Sequence, residues 1–204
     1  MQEYTLEAIE WTQYWAEECT KDKTSVLMIG DSISVGYRSE VNRLLSDSMS
    51  IAAYSTSKAI DNPWFEEELS IVVRQHNFNY DTVTLNNGLH GFHLTTEAYE
   101  AGMRALIKTV QNLLPFSKLY LVLSTPITEN GNPDILSDKN HIVIERNAAV
   151  TRIAAELHLP VIDLYNAVLG KAVLSNGDGY HYNEEGYQVL AAEIARAVDR
   201  KRFG

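Results

Sequence analysis

The chain has 204 residues, 45% of them hydrophobic and 22% charged, which is enough for one domain with a core of its own and is ordinary for a soluble globular protein. Its formal net charge of −10 at pH 7 argues against nucleic acid or an anionic membrane as partner, since both need a basic face. A single cysteine, Cys19, excludes an internal disulfide and a cysteine-based metal cluster.

The first residues show no basic start followed by an apolar stretch, and no apolar run approaches the ~18 residues that span a bilayer. The expectation is a cytoplasmic protein that does not insert in a membrane. Residues 5–20 read as a helix with Trp11 and Trp15 one turn apart. That pair suits packing on the domain or on a second copy in a homodimer. Residues 1–24 are therefore set apart as an N-terminal helical extension, and residues 25–204 as a single domain. Cys19 falls in the extension without a histidine nearby, so a structural or neutral role is expected for it.

Strand and helix then alternate. Residues 25–30 (SVLMIG) form a strand, 34–46 a helix and 49–54 (MSIAAY) a second strand. A helix follows around 63–76, with Pro63 in its first turn. Residues 81–86 (DTVTLN) are a third strand. Residues 96–114 carry Tyr99, Met103, Leu106, Ile107, Val110, Leu113 and Leu114 at three- and four-residue spacing, and Pro115 ends that helix. Residues 118–124 (KLYLVLS) are a fourth strand, Thr125 to Lys139 a long loop, 141–157 a helix and 160–163 (PVID) a short fifth strand. The last helix, 184–199, buries Tyr187, Leu190, Ile194 and Val198 on one face. Such alternation implies βαβ units, and hence an α/β fold: a three-layer, flavodoxin-like α/β/α domain around a five-stranded, mostly parallel sheet. Ligands bind such sheets outside the carboxyl ends of the strands. Gly30-Asp31-Ser32, Asn86 to Gly91 and Ser124 to Pro126 all fall there.

Two blocks carry chemistry. VLMIGDSISVG (Val26 to Gly36) puts Ser32 where a buried strand turns into a helix, and NGDGYHY (176–182) puts Asp178 three residues before His181, ahead of another helix. A serine hydroxyl needs a base to take its proton, a histidine serves, and a carboxylate holds the imidazole in the right tautomer. Each block alone has a bland reading, because Asp and Ser also cap helices. Their joint placement in an alternating α/β chain favours catalysis.

These blocks resemble those of the SGNH hydrolases, also called the GDSL esterase/lipase family. IGDSIS stands where that family has its serine after the first strand. Asp178-Gly179-Tyr180-His181 follows its DxxH, and Asn183-Glu184-Glu185-Gly186-Tyr187 resembles the helix start after it. The likeness runs from about Val26 to Val198. It implies the SGNH hydrolase fold, Ser32 as nucleophile, His181 as base, Asp178 as its partner, and neither metal nor organic cofactor. Two blocks depart from the pattern. The family's glycine after the second strand, whose N–H joins the oxyanion hole, has no counterpart between Met49 and Asn62. Its third-strand GxND block here reads Asn86-Asn87-Gly88-Leu89-His90-Gly91. Ser32, Ser57 and His90 are accordingly expected to form the oxyanion hole, with Asn87 as the alternative to His90.

Asp31, Asn87 and Trp64 are the remaining candidates around the substrate. Asp31 also suits shaping the turn beneath Ser32, and Trp64 with Phe65 suits either a sugar-stacking wall or a helix staple. His90 and His93 form an HxxH without a third ligand in spacing, so no metal site is expected. His76, His141 and His158 are expected in packing roles. The loop from Thr125 to Lys139 is expected to cover the site and help set substrate choice. The reading is a serine esterase acting on a small-molecule ester, first a carbohydrate O-acetyl ester, second a short-chain or lysophospholipid ester. The alternative is a catalytically silent relative that binds carbohydrate or protein. Neither GxGxxG nor GxxxxGK[ST] is present, which disfavours a nucleotide-binding protein.

Overall fold

A computed structural model describes residues 4–17, 20, 22–75, 79–199 and 202. Cys19 and His76 lie outside the described residues. The strands are β1 (Thr12–Ala16), β2 (Thr24–Gly30), β3 (Met49–Thr56), β4 (Thr82–Leu85), β5 (Lys118–Val122), β6 (Thr128–Glu129), β7 (Asn132–Leu136) and β8 (Val161–Ile162). The helices are α1 (Ser32–Leu45), α2 (Pro63–Gln75), α3 (Thr96–Leu113), α4 (Asn140–Leu157), α5 (Leu164–Val168) and α6 (Glu184–Val198).

The central sheet has the order β1-β3-β2-β4-β5-β8. Strands β3, β2, β4, β5 and β8 are mutually parallel. Both faces of the sheet are covered, which is why β2 reads as an unbroken apolar run. Val26, Met28, Ile51, Ala53 and Val122 face α1, α5 and α6 in one buried cluster. Leu27, Ile29, Ala52, Val83 and Leu121 face α2, α3 and α4 in the other. Alternate side chains of each strand thus feed opposite layers, as the pleat requires. Strand β2 lies between β3 and β4, so the chain's progress reverses there, and its carboxyl end opens on the crevice where such sheets bind ligands. Among the described residues, no helix is long and apolar enough to cross a membrane.

The sheet differs from the expected five strands at its edge. Thr12–Ala16, expected as part of a helical extension, is a β-strand running antiparallel to β3, with Thr12 opposite Thr56 and Ala16 opposite Ala52. Trp11 and Trp15 imitate a helical stripe, but a run containing Thr, Tyr and Trp also suits a strand, and pairing here covers the otherwise open edge of β3. Tyr14 and Ala16 pack against one apolar cluster and Trp15 against the other, with the Arg38 guanidinium 4.9 Å from the Trp15 ring. Residues 12–16 are therefore an integral sixth strand.

The segment expected as a long loop, Thr125 to Lys139, contains regular structure. Residues 128–136 form the antiparallel β6–β7 hairpin, which leans on the loop before α6: the Thr128 N–H donates to the Gly179 carbonyl (2.9 Å) and the Gly131 N–H to the Gly177 carbonyl (2.8 Å). Gly179 has φ +91°, and a Cβ there would lie 2.6 Å from the Thr128 carbonyl oxygen. Gly179→Ala is therefore expected to cost about 2 kcal/mol, a fall in Tm of roughly 4–8 °C by thermal denaturation. An unchanged Tm would mean that the hairpin does not press on this loop.

Candidate active site

Ser32 is the first residue of α1. Asp31 caps that helix: its Oδ1 accepts from the Ile33 N–H at 2.9 Å. Ser34 ties the turn down, donating to the Asp31 carbonyl and sharing a 2.7 Å hydrogen bond with Ser55 on β3. As the first residue of a helix, Ser32 has an N–H without an intrahelical acceptor, at the positive end of the helix dipole.

The chain end returns to this point. Asn183 caps α6 by accepting from the Gly186 N–H, and the loop before it is closed by a bridge between Ser175 and Tyr182. Within the loop, Asp178 Oδ1 accepts from the N–H groups of Tyr180 (2.8 Å) and His181 (2.7 Å). Its Oδ2 lies 2.7 Å from His181 Nδ1 and accepts from Asn176 Nδ2 at 3.3 Å. His181 Nε2 lies 2.8 Å from Ser32 Oγ. The structure thus brings Ser32, His181 and Asp178 together as expected.

Partial burial opposes the charge on Asp178, but the two N–H donors, His181 and Asn176 outweigh it and hold its pKa down to about 2. An ionised carboxylate can only accept, so the Nδ1 facing it carries the imidazole proton. The Nε2 lone pair is then left for the Ser32 hydroxyl. The acid, the imidazole and the serine form one line of proton donation.

The facing wall is the loop after β4. Arg146, on α4 and only 1% exposed, donates from Nη1 to the carbonyls of Gly88 (3.0 Å) and His90 (2.6 Å) and from Nη2 to that of Gly91 (2.5 Å). Its guanidinium lies 4.6 Å from the Tyr99 ring and 5.2 Å from that of Phe92. Glu7 holds the loop from the other side, accepting from the Gly91 N–H at 2.6 Å, with the same oxygen 3.8 Å from His90 Nδ1. His90 shares with Ser32 and His181 a cleft also lined by Glu7, Phe92, Lys139 and Tyr180.

Four expected site residues are placed otherwise. The Ser57 N–H donates to the Trp11 carbonyl (3.1 Å), so it is not available to an oxyanion; the edge strand has taken it. Asn87 is fully buried, and its amide donates to the Lys58 carbonyl (2.9 Å), tying the exits of β3 and β4 together away from the cleft. Asp31 is 2% exposed and lies beneath Ser32 as a cap, not against a substrate. Trp64 is half exposed, and its indole N–H donates to the Tyr4 hydroxyl, outside the lining of the Ser32 cleft. The two imidazoles of HxxH part company: His93 pairs with Asp61 at 2.9 Å while His90 faces the cleft. Of the expected lid, Lys139 borders that cleft, and Pro126, Thr128, Pro133, Asp134 and Leu136 line a neighbouring cavity together with Tyr180 and His181. Sequence reasoning missed Arg146, Glu7 and Trp11. An arginine on the apolar face of a predicted helix is the one available signal for Arg146.

The model of the GDSL-like Lipase/Acylhydrolase family matches residues 28–189. No curated protein matches the chain. Among solved structures, an acetylxylan esterase from Geobacillus stearothermophilus superposes with a TM-score of 0.69 at 20% identity, covering 88% of this chain and 97% of that one. A second acetyl xylan esterase gives 0.69 at 19% identity, over 85% and 99% of the two chains. A GDSL-like lipase from Bacteroides thetaiotaomicron gives 0.67 at 14% identity, over 91% and 92%. At these identities the likeness is one of fold, whereas the family match spans most of the chain: the protein belongs to the GDSL-like lipase/acylhydrolase family.

Asp178→Asn keeps an acceptor for the two N–H groups but turns an NH₂ toward Nδ1, which favours the wrong imidazole tautomer; kcat is expected to fall by about 10⁴. The variant also tests the charge. A carboxyl whose pKa drops from 3.8 to about 2 on folding stabilises fully above pH 3.8, and that stabilisation is lost as pH falls toward 2. Denaturant unfolding is expected to show a wild-type advantage over Asp178→Asn that fades across that window. A pH-independent difference would contradict the ionised, hydrogen-bonded carboxylate.

Proposed function

We propose that this member of the GDSL-like acylhydrolases is a serine esterase that cleaves a small acyl ester through an acyl-enzyme on Ser32, with an O-acetyl group on carbohydrate as the leading substrate. The observation that carries the reading is the continuous Ser32–His181–Asp178 hydrogen-bonded line, at 2.8 and 2.7 Å. A role limited to binding carbohydrate or protein has no use for these three groups in register. The carbohydrate preference draws support from the acetylxylan esterases among the structures of the same fold, and from a cleft that mixes charged and aromatic side chains.

In the first half-reaction, the Ser32 Oγ proton passes to His181 Nε2 as Oγ attacks the ester carbonyl carbon, and the C=O pair moves onto oxygen. Asp178 steadies the imidazolium so formed. The oxyanion is served by the Ser32 N–H at the helix N-terminus and by the His90 imidazole, which carries one N–H when neutral. Collapse breaks the bond to the leaving oxygen, which takes the proton from Nε2 and departs as the alcohol. Water then gives a proton to Nε2 as its oxygen attacks the acyl carbon; collapse breaks the bond to Ser32 Oγ, which takes that proton back from Nε2, and the carboxylic acid leaves.

The test is hydrolysis of p-nitrophenyl acetate and of an acetylated xylo-oligosaccharide by the wild type and by Ser32→Ala. The wild type is expected to turn over both, and the variant to lose about 10³-fold or more in kcat. Equal activity in both proteins would remove Ser32 from the chemistry. An inert wild type that also fails to react with a fluorophosphonate would favour the silent relative. For His90→Ala, kcat is expected to fall by about 10²–10³ with KM little changed. Retention of more than half the wild-type kcat would leave the oxyanion to backbone N–H alone.

A further inference from the structure

Ser32 opens onto two spaces. One is the cleft of about 340 Å³ that His181 lines, together with Glu7, His90, Phe92, Lys139 and Tyr180. The other is a groove of about 260 Å³ bounded by Trp11, Gln13 and Val35. The walls of the groove are fixed. The Trp11 N–H donates to Ser57 Oγ (2.8 Å), and its carbonyl accepts from the Ser57 N–H (3.1 Å) and from Thr56 Oγ1 (3.0 Å). Gln13 accepts from Arg38 of α1 at 3.2 Å. Val35 stands one turn beyond Ser32 on the same helix.

The chemistry assigns the two spaces. The leaving oxygen must meet His181 Nε2, the atom that returns the proton, so of the two spaces that Ser32 borders the alcohol takes the one that His181 also lines. The other substituent of the carbonyl carbon then points away from His181, where the groove runs. The contents agree with this direction: the His181 side offers the charges of Glu7 and Lys139 beside the faces of Phe92 and Tyr180, which suits a hydroxyl-rich alcohol, whereas the groove offers an indole and a valine.

We infer that Trp11, with Val35 opposite, forms the acyl-binding groove, and that the His181-side cleft receives the alcohol. The inference rests on the esterase reading. Trp11 and Gln13 lie outside the residues 28–189 that the family model matches. Acyl chains longer than acetyl extend along the indole, and Trp11 sets how far.

The experiment compares kcat/KM for p-nitrophenyl acetate, butanoate, hexanoate and octanoate, and for an acetylated xylo-oligosaccharide, in the wild type, Trp11→Ala, Val35→Phe and Lys139→Ala. Ratios between substrates do not depend on the fraction of folded enzyme, and Val35→Phe, which fills the groove from the helix side, carries the test if Trp11→Ala folds poorly. The groove variants are expected to change the hexanoate-to-acetate ratio by about fourfold for each methylene whose burial is gained or lost, and to leave the oligosaccharide-to-p-nitrophenyl acetate ratio unchanged. Lys139→Ala is expected to lower the second ratio and not the first. Groove variants that move only the second ratio, or neither, would overturn the assignment while leaving the esterase intact. Absence of Ser32-dependent hydrolysis in the wild type would overturn the esterase reading and the assignment with it.

Discussion

The Asp178 carboxylate is the constraint on which the site depends. One of its oxygens takes the N–H groups of Tyr180 and His181, and the other takes His181 Nδ1 and the Asn176 amide. The backbone bonds fold the chain so tightly that His181 must face its own acid, and the charge fixes which nitrogen carries the proton. What remains is to bring Ser32 to Nε2 across the whole length of the domain. Packing of α1 on α6 does that, through Ile33, Tyr37, Val41 and Leu45 on one helix and Leu190, Ile194 and Ala195 on the other. Gly36 lets them meet closely: a Cβ there would fall 2.1 Å from the Tyr187 ring, so a larger residue would push the two catalytic ends of the chain apart. The 2.8 Å serine–histidine contact is thus a consequence of helix packing as much as of the residues that make it.

Arg146 plays the matching part for the opposite wall. Three consecutive-region carbonyls, of Gly88, His90 and Gly91, converge on one buried guanidinium whose faces lie near Tyr99 and Phe92. Burial disfavours its charge, while the Tyr99 phenol, Glu7 and Asp61 oppose that shift. A guanidinium presents its donors in a fixed planar fork, so a loop whose carbonyls satisfy it has little freedom left. A loop without regular secondary structure is thereby held in place with His90 lining the cleft that Ser32 borders.

The legible and illegible parts of the chain divide along one physical line. Elements that carry their own periodicity or caps were readable: the alternation from 25–30 through 184–199 matches β2 to α6 within a few residues, and GDS and DxxH mark the two loops that meet. Features that arise from a partner distant in sequence were not. Residues 5–20 show apolar spacing compatible with a helix, and only the open edge of β3 makes Thr12–Ala16 a strand. Ser57 stands at the right strand exit, yet its N–H is claimed by Trp11, which no local window reveals. Asn87 has the right chemistry for an oxyanion donor, but its amide is drawn inward by the Lys58 carbonyl. The stretch from Thr125 to Lys139 shows in sequence only its length and its turn and polar residues; the hairpin at 128–136 takes its place through two backbone bonds to Gly177 and Gly179.

The N-terminal segment joins these observations. An unpaired β3 edge would present backbone donors and acceptors to any other chain, and β1 removes that hazard by pairing with it. The same pairing leaves Trp11 just beyond the strand, anchored to Thr56 and Ser57 at the carboxyl end of the sheet, where the chemistry lies. Lys58 reinforces the join, bonding to Thr12 at 2.9 Å and to Glu68 at 3.1 Å. Farther back along the segment, Glu7 reaches the loop that bears His90. One stretch outside the family's matched residues therefore closes the sheet edge, borders the Ser32 groove and braces the loop that bears His90. Covering a strand edge and shaping a substrate site need not be separate adaptations here, because the antiparallel edge strand begins where the parallel strands end, and in an α/β sheet that is where ligands sit.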